Sequence, residues 1–457
     1  MMYEPSIFRA YDMRGTYPTQ MNEQVAYAAG QSFVHVMGAK TVAVGRDVRT
    51  TGESMLQSLI KGITDAGASV INVGIISTEM LYFAAATLDC DGGITVTASH
   101  NPAQWNGLKF IGKGAEPLTG EAKLGELYKF MQEGHKLSEF TKGSVKELDL
   151  LSSYAHYLQH FTPTLLPQMK LVANVNFGAN GKVVDAVTKD LPLEIIRINW
   201  EENGTFPKGT PNPMLESNRN ELSQAVIDNH AQLGVAWDAD ADRCFFFDEQ
   251  GRFFSPYHIT AMLISEFAKD NGQSFVGERR LTWANLAAVA EGNGNMIFSR
   301  TGHGYIKKAM RDHNAVFGGE SSGHYYFRDF FFCDSGMITF LKVLGVFARE
   351  ITAGRTVGQL LDMYAEKYPT TGEINYTTPQ AKDIIDAAAA KYADTEQNHE
   401  DGLTVEYSTW RFNLRSSSNE PLLRLNVEAK SKEELELRHK EINELIGGFD
   451  AHVNLGE

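Results

Sequence analysis

The sequence predicts an α/β protein: three consecutive α/β domains with mixed, largely parallel sheets, followed by a smaller C-terminal α+β domain. Three observations lead there. Short β-branched runs alternate with helix-length segments three times in succession, the pattern of parallel strands joined by crossover helices. At 457 residues the chain is too long for one core, and at about 150 residues per domain it should divide into three or four. From about Pro369 the alternation gives way to a different order of strands and helices, which reads as α+β.

The first unit has strand 41–45, helix 53–65, strand 68–73, helix 79–88 and strand 93–97. A polar stretch over 141–151 precedes the second: strand 171–175, helix 182–189, strand 193–198, a Gly/Pro/Asn loop over 203–213, helix 221–229 and strand 233–237. The runs 245–247 and 252–254, joined around Glu249-Gln250-Gly251, read as a hairpin closing that unit. The third has helix 258–268, strand 274–276, helix 281–290, strand 296–299, helix 305–312, strand 315–317, and helices 335–350 and 357–368. The last has strands 373–376, 403–407, 410–414 and 422–427 with helices 380–391 and 432–446. Domain limits of 1–148, 149–253, 254–368 and 369–457 follow, and the three α/β units could be distant copies of one plan.

With 42 basic against 57 acidic residues the net charge is −15, which argues against a nucleic-acid or membrane-surface binder. A basic site within an acidic body still suits an anionic small molecule. Cys90, Cys244 and Cys333 are odd in number and widely spaced, so they read as free thiols in a reducing compartment. Residues 1–15 hold no apolar core of signal-peptide length, and the greasy segment 338–348 is broken by Lys342 and Gly345. The expectation is a soluble cytoplasmic protein.

Chemistry concentrates in polar loops that follow apolar runs. Ser99 lies in Thr97-Ala98-Ser99-His100-Asn101-Pro102, directly after 93–97. The residue before a proline is biased away from the helical region, so this loop should hold Ser99 in an irregular turn, presented rather than packed. Its place at the carboxyl end of a strand is where open α/β sheets bind ligands.

Asp238, Asp240 and Asp242 alternate with alanines between two apolar runs. Three such carboxylates repel one another unless a cation sits among them, and hard oxygen ligands suit Mg²⁺ or Ca²⁺. A calcium helix-loop-helix is the rival, with Glu249 at its twelfth position, but Arg243 stands where its glycine is needed.

The loop 318–324 combines Glu320, Ser321, Ser322 and His324 among glycines, a set suited to a polyol. The loop 415–421 offers Arg415, Ser417 and Asn419 in one tight turn, a cradle for phosphate. His303 stands between glycines at a helix start, and Lys109 follows Ser99 closely enough to return to its pocket.

Together these stretches, with Phe8-Arg9-Ala10-Tyr11-Asp12-Met13-Arg14-Gly15, resemble the α-D-phosphohexomutases, specifically the phosphomannomutase/phosphoglucomutase branch, in the family's order along the whole chain. The resemblance implies four domains around a central cleft, with Ser99 as phosphoserine. Its phosphate, Asp238, Asp240 and Asp242 would hold Mg²⁺. Glu320, Ser322 and His324 would meet the sugar. Arg415, Ser417 and Asn419 would hold the substrate phosphate that is not reacting, Arg424 would also bind substrate, and Arg280 would bind it near the reacting centre. Arg14, Lys109, Arg243 and His303 would surround the reacting centre, Lys109 and His303 for proton transfer and charge stabilisation.

Phosphomannomutase chemistry is thereby implied, with glucose phosphates as further substrates, through a hexose 1,6-bisphosphate that also serves as activator. The partner is a hexose phosphate, with no nucleic acid and no membrane, and the assembly a monomer or homodimer. Phosphoglucosamine mutase is the alternative, and a non-catalytic sugar-phosphate binder a further one. A serine hydrolase fits less well, since Ser99 lacks nucleophile-elbow glycines and the adjacent His100 is poorly placed as its base. Two loops depart from the family pattern: alanines replace common glycines in the aspartate loop, and Asn419 stands where threonine is usual.

Overall fold

A computed structural model describes residues 3–120, 123–134, 141–417 and 421–454. Its strands form four sheets, and the first three share one plan. In the first, Gly92–Val96, Thr41–Arg46, Ser69–Ile75 and Val145–Glu147 run parallel. Trp105–Gly112 then returns antiparallel to Gly92–Val96, and Asp12–Thr16 pairs antiparallel beyond it. In the second, Leu233–Trp237, Met169–Asn174 and Leu193–Ile198 are parallel and Cys244–Phe247 returns antiparallel. In the third, Asn295–Phe298, Ser274–Gly277 and Phe317–Gly319 are parallel and Tyr325–Phe327 returns antiparallel.

Chain connectivity explains the returns. A parallel crossover needs a helix-length connection, whereas the loops 97–104, 238–243 and 320–324 are short and leave only a hairpin. The serine, aspartate and sugar loops are therefore each a hairpin loop between a parallel strand and its antiparallel return. The fourth sheet is antiparallel throughout, in the order Gln397–Asn398, Leu403–Glu406, Trp410–Ser416, Leu422–Ala429, Thr370–Thr377, His452–Val453. Its own polar motif joins Trp410–Ser416 to Leu422–Ala429.

The hairpin expected over 245–254 forms, and its first arm serves two partners. Cys244–Phe247 pairs with Leu233–Trp237, while across the turn Asp248 N–H donates to Arg252 O at 3.0 Å, Phe254 N–H donates to Phe246 O at 2.8 Å, and Phe247 bridges Phe253. Asp248 shapes that turn: its carboxylate accepts from the N–H groups of Gln250 and Arg252 and from Arg252 Nε, curling the chain.

Local chemistry sets the helix limits. Asn22 caps Glu23–Met37 by accepting from Gln24 and Val25 N–H, and Gly38 ends it at φ 62°. Thr356 and Gln359 form a capping box on Val357–Lys367. Gly336–Thr352 carries the segment flagged as greasy; most of its residues are buried, and Trp237 packs edge-on to its Phe340 at 5.3 Å. Among the described residues no helix is long and apolar enough to cross a membrane. All three cysteines are buried and unbridged.

An apolar core runs unbroken from Met80 and Phe83 of the first unit through Trp237 to Phe340 and Phe347 of the third. The fourth unit keeps its own core around Leu403, Phe412, Leu425 and Ile442. Its seam with the third is polar. Arg411 donates to the Arg279 and Arg280 carbonyls at 2.6 and 2.9 Å, and Glu428 accepts from Thr282 and Trp283 N–H at 2.7 and 3.2 Å.

Candidate active site

Ser99 takes a left-handed backbone at φ 50°, a strained conformation that only its surroundings can hold. Thr97 Oγ1 accepts the Ser99 N–H at 2.9 Å and donates to Asp47 at 2.7 Å. Asp47 also receives Arg49 through its N–H at 2.9 Å and Nε at 3.1 Å. The Arg49 guanidinium then donates to four loop carbonyls: Pro102 at 2.7 Å, Trp105 at 3.0 Å, Ser99 at 2.8 Å and Asn101 at 2.7 Å. On another side Arg14 donates to Asn101 Oδ1 at 2.7 Å and to Asp12 at 2.6 Å.

Two expectations about this loop are overturned. Ser99 is not presented but 3% exposed, because the aspartate hairpin of the second unit closes on it, with Ser99 Oγ 3.4 Å from Asp238 Oδ2. Nor is His100 poorly placed: its Nδ1 lies 3.0 Å from Ser99 Oγ. The positive φ at Ser99 reverses the chain, so the two neighbouring side chains converge. Burial, reinforced by Arg243 and Arg14, holds the His100 imidazole well below its usual range and hence neutral.

Asp238, Asp240 and Asp242 are fully buried, and oxygens from all three lie within 4.8 Å of one another. Oδ1 of Asp240 has no hydrogen-bond donor among the described residues, and Oδ1 of Asp242 meets only the His324 imidazole, 3.5 Å away. Unpaired buried carboxylate oxygens are costly, so this donor set fits a divalent cation. The flanking elements are strands, which excludes the helix-loop-helix rival. The backbone of this loop is closely packed: the Ala239 and Ala241 carbonyls press on Gly178 and Gly336, where an added Cβ would meet them at 2.3 and 2.4 Å, and both alanine side chains are buried. Burial pushes the Asp238 carboxyl up despite its 2.7 Å contact with Arg243 Nε.

Lys109 sits on the return strand opposite Thr95, not in a loop. Its Nζ donates to Asp240 and Asp242 at 2.6 Å each. Burial alone would lower its pKa, but those two carboxylates outweigh burial and raise it. Lys109 is therefore a fixed cation, suited to charge stabilisation rather than to accepting a proton. Thr78 Oγ1 adds a hydrogen bond to Asp240 at 2.6 Å.

The sugar-loop residues adjoin the same aspartates. His324 Nε2 is 3.5 Å from Asp242, and its Nδ1 is 2.8 Å from Ser322 Oγ and 3.7 Å from Glu320. Glu320 accepts from Gly302 N–H at 2.8 Å, fixing the start of the helix His303–Asp312. The His303 ring packs on Tyr11 at 4.3 Å and stands 6.4 Å from that of His324, and its Nε2 has no partner among the described residues. Burial, with Lys307 and Lys109 nearby, holds His303 well below its usual range. A cavity of about 10 Å³ beside Lys109, Tyr11 and His303 marks the space between them.

Contacts continue from there to the fourth unit. Ser321 N–H donates to Glu278 at 2.8 Å, Glu278 pairs with Arg280, and Arg280 reaches Glu373 at 2.7 Å. Arg415 and Arg424 approach the same Glu373 at 3.6 and 3.7 Å. Ser417 N–H closes the hairpin on Leu422 O at 2.8 Å. Asn419 lies outside the described residues. The structure thus brings Ser99, Arg14, Lys109, Arg243, the aspartates, His303, Glu320, Ser322 and His324 together, and links Arg280, Arg415 and Arg424 to them. Sequence reasoning missed Asp47, Arg49, Thr78, Glu278 and Glu373. Arg46-Asp47-Val48-Arg49 did carry a signal, being charged at the carboxyl end of a strand.

Four family models match the chain in order: Phosphoglucomutase/phosphomannomutase, alpha/beta/alpha domain I at residues 5–136, domain II at 152–251, domain III at 255–368, and C-terminal domain at 373–445. A phosphomannomutase of Vibrio cholerae serotype O1 is 39% identical over 458 residues, covering 97% of this chain and 98% of the relative. One from Salmonella montevideo is 40% identical over 451 residues, covering 96% and 98%. Among solved structures, a phosphoglucomutase/phosphomannomutase family protein of Burkholderia thailandensis superposes with a TM-score of 0.86 at 27% identity, covering 99% of both chains.

Proposed function

We propose, for a chain that belongs to the phosphoglucomutase/phosphomannomutase family, that its phosphohexose mutase activity interconverts mannose 6-phosphate and mannose 1-phosphate, and glucose phosphates besides, through a phosphoserine at Ser99. One observation carries the reading: a serine hydroxyl held in a strained turn abuts a buried three-aspartate cluster at 3.4 Å, with Lys109 fixed across that cluster.

Phosphoryl transfer asks a protein for positioning and charge neutralisation more than for covalent help. Mg²⁺, held by Asp238, Asp240, Asp242 and the Ser99 phosphate, would neutralise charge on the transferring group. Arg14, Arg243 and Lys109 surround the same position and do the same work from the protein. The Ser99 O–P bond breaks as a bond forms from phosphorus to O1 of a hexose 6-phosphate, giving the 1,6-bisphosphate. The O1 proton passes to neutral His303 at Nε2. The proton lost from O1 is balanced by one that the departing Ser99 oxygen takes up, restoring the hydroxyl that His100 Nδ1 meets at 3.0 Å. Both transfers reverse when the second phosphate returns to Ser99 and O6 is released as a hydroxyl. The bisphosphate turns end for end, its other phosphate returns to Ser99, and the released bisphosphate acts as activator when it escapes early. Glu320, Ser322 and His324 hold sugar hydroxyls in either orientation, and Arg280, Arg415, Ser417, Asn419 and Arg424 hold the idle phosphate. The proposed domain limits of 1–148, 149–253, 254–368 and 369–457 leave one sheet in each.

A coupled assay with Mg²⁺ and a trace of hexose 1,6-bisphosphate, comparing mannose, glucose and glucosamine 1-phosphates, tests the substrate. Mannose and glucose phosphates should turn over, and conversion of glucosamine 1-phosphate alone would reassign it. Ser99→Ala should lose both turnover and label from bisphosphate; retained activity sinks the phosphoserine.

A further inference from the structure

We propose that Glu373 is an internal counter-anion of the phosphate cradle, sharing its guanidiniums with the substrate's idle phosphate and loosening their hold so that the bisphosphate can leave and re-enter reversed. This rests on the reading of Arg280, Arg415 and Arg424 as that cradle.

The strands themselves create the need for an anion. Arg415 and Arg424 face each other directly across Trp410–Ser416 and Leu422–Ala429, and like charges directly opposite are destabilising. One strand further on, after a register shift between Thr370 and Glu373, Glu373 stands opposite Asn426, two residues from Arg424 and on the same face of the sheet. The carboxylate then lies 2.7 Å from Arg280, 3.6 Å from Arg415 and 3.7 Å from Arg424. Arg280 belongs to the third unit and the other three residues to the fourth, so the contact spans their polar seam.

The pairing leaves donors to spare. Of the three contacts only that with Arg280 is short, and Nε of Arg280 and Nε of Arg415 have no hydrogen-bond partner among the described residues. Burial raises the Glu373 carboxyl, but Arg280, Arg424 and Arg415 outweigh burial and hold it at about 2, so it is an anion wherever the enzyme works. A phosphate dianion gripped by three guanidiniums alone would be slow to leave, and equal tightening of every bound state adds nothing to turnover. A permanent carboxylate among them weakens that grip while keeping the arginines in place.

Glu373→Gln removes the charge and keeps the shape. Titrating mannose 6-phosphate calorimetrically into Ser99→Ala protein, with and without Glu373→Gln, should show affinity rising about tenfold with the second change, and kcat should fall together with KM in the otherwise native enzyme. Glu373→Asp, which retains charge but draws it back by one methylene, should shift affinity the same way by less and covers the case in which the glutamine variant does not fold. Unchanged or weaker binding in both overturns the proposal. Arg415→Met separates the two ideas: if it binds like its parent, the cradle reading fails, whereas lost affinity there with no gain on changing Glu373 removes only the role of Glu373.

Discussion

Arg49 and Ser99, fifty positions apart, are joined by a 2.8 Å hydrogen bond from Nη2 to the serine carbonyl. The hydroxyl is aimed through its own backbone by a guanidinium directed at the loop's carbonyls. Arg49→Lys keeps the charge but cannot reach four carbonyls with one ammonium. We expect kcat to fall by about a hundredfold with little change in KM, since misplacement of a reacting group by about an ångström costs that much. Steady-state kinetics on folded protein decide, and a native kcat would show that the clamp is not needed for aim.

Metal removal should be visible without turnover. A cation among Asp238, Asp240 and Asp242 binds the folded chain only, so adding Mg²⁺ should raise Tm in proportion to the logarithm of its concentration above Kd. Asp240→Asn should abolish that rise, and chelation should return the native protein to its metal-free Tm. A Mg²⁺-dependent Tm in the asparagine variant equal to the parent's would mean that the ion binds elsewhere.

Glu79 supplies a pH test. Burial pushes its carboxyl up to about 8, only partly offset by hydrogen bonds from Ser335 and Met337. The folded state then keeps a proton that the unfolded state sheds above its ordinary value near 4.5. The sign follows: stability falls as pH rises from about 4.5 toward 8. Glu79→Gln retains an acceptor for Ser335 without the charge. Its Tm should match the parent's at pH 5 and exceed it by several degrees at pH 8. The same difference at both pH values would assign the effect to packing.

Gly107→Ala should be damaging despite its single methyl. The added Cβ would stand 2.3 Å from the Met13 carbonyl and 2.8 Å from that of Thr97, on the strand that delivers Lys109. A stability loss of about 1–3 kcal/mol is expected in denaturant unfolding, together with reduced kcat. Gly38→Ala is a comparison: its φ of 62° is left-handed but nothing lies within 4 Å, so it should cost stability and leave kcat alone.

Much of this site was legible because its loops follow apolar strands and carry their chemistry in consecutive residues. Ser99, the three aspartates and the 318–324 loop could be found from a few positions of sequence. Strands were lost where function erased their periodicity. Trp105–Gly112 interleaves Asn106, Gly107 and Lys109 with apolar residues, and Asp12–Thr16 is built from Asp12, Arg14 and Gly15. Arg49 and Glu373 were hidden for another reason. The partners that matter are distant in sequence, from about forty residues to more than ninety, and no local pattern announces which carbonyl or guanidinium will stand opposite.

That the serine, aspartate and sugar loops are the same hairpin in three successive sheets bears on descent. A hairpin loop can be rewritten without disturbing the ladder that carries it, because its side chains point away from the sheet's own core. One inherited scaffold, copied twice, could thus take on nucleophile, cation seat and sugar grip by editing only a handful of positions in each copy. No copy alone would hold a working fragment of the reaction.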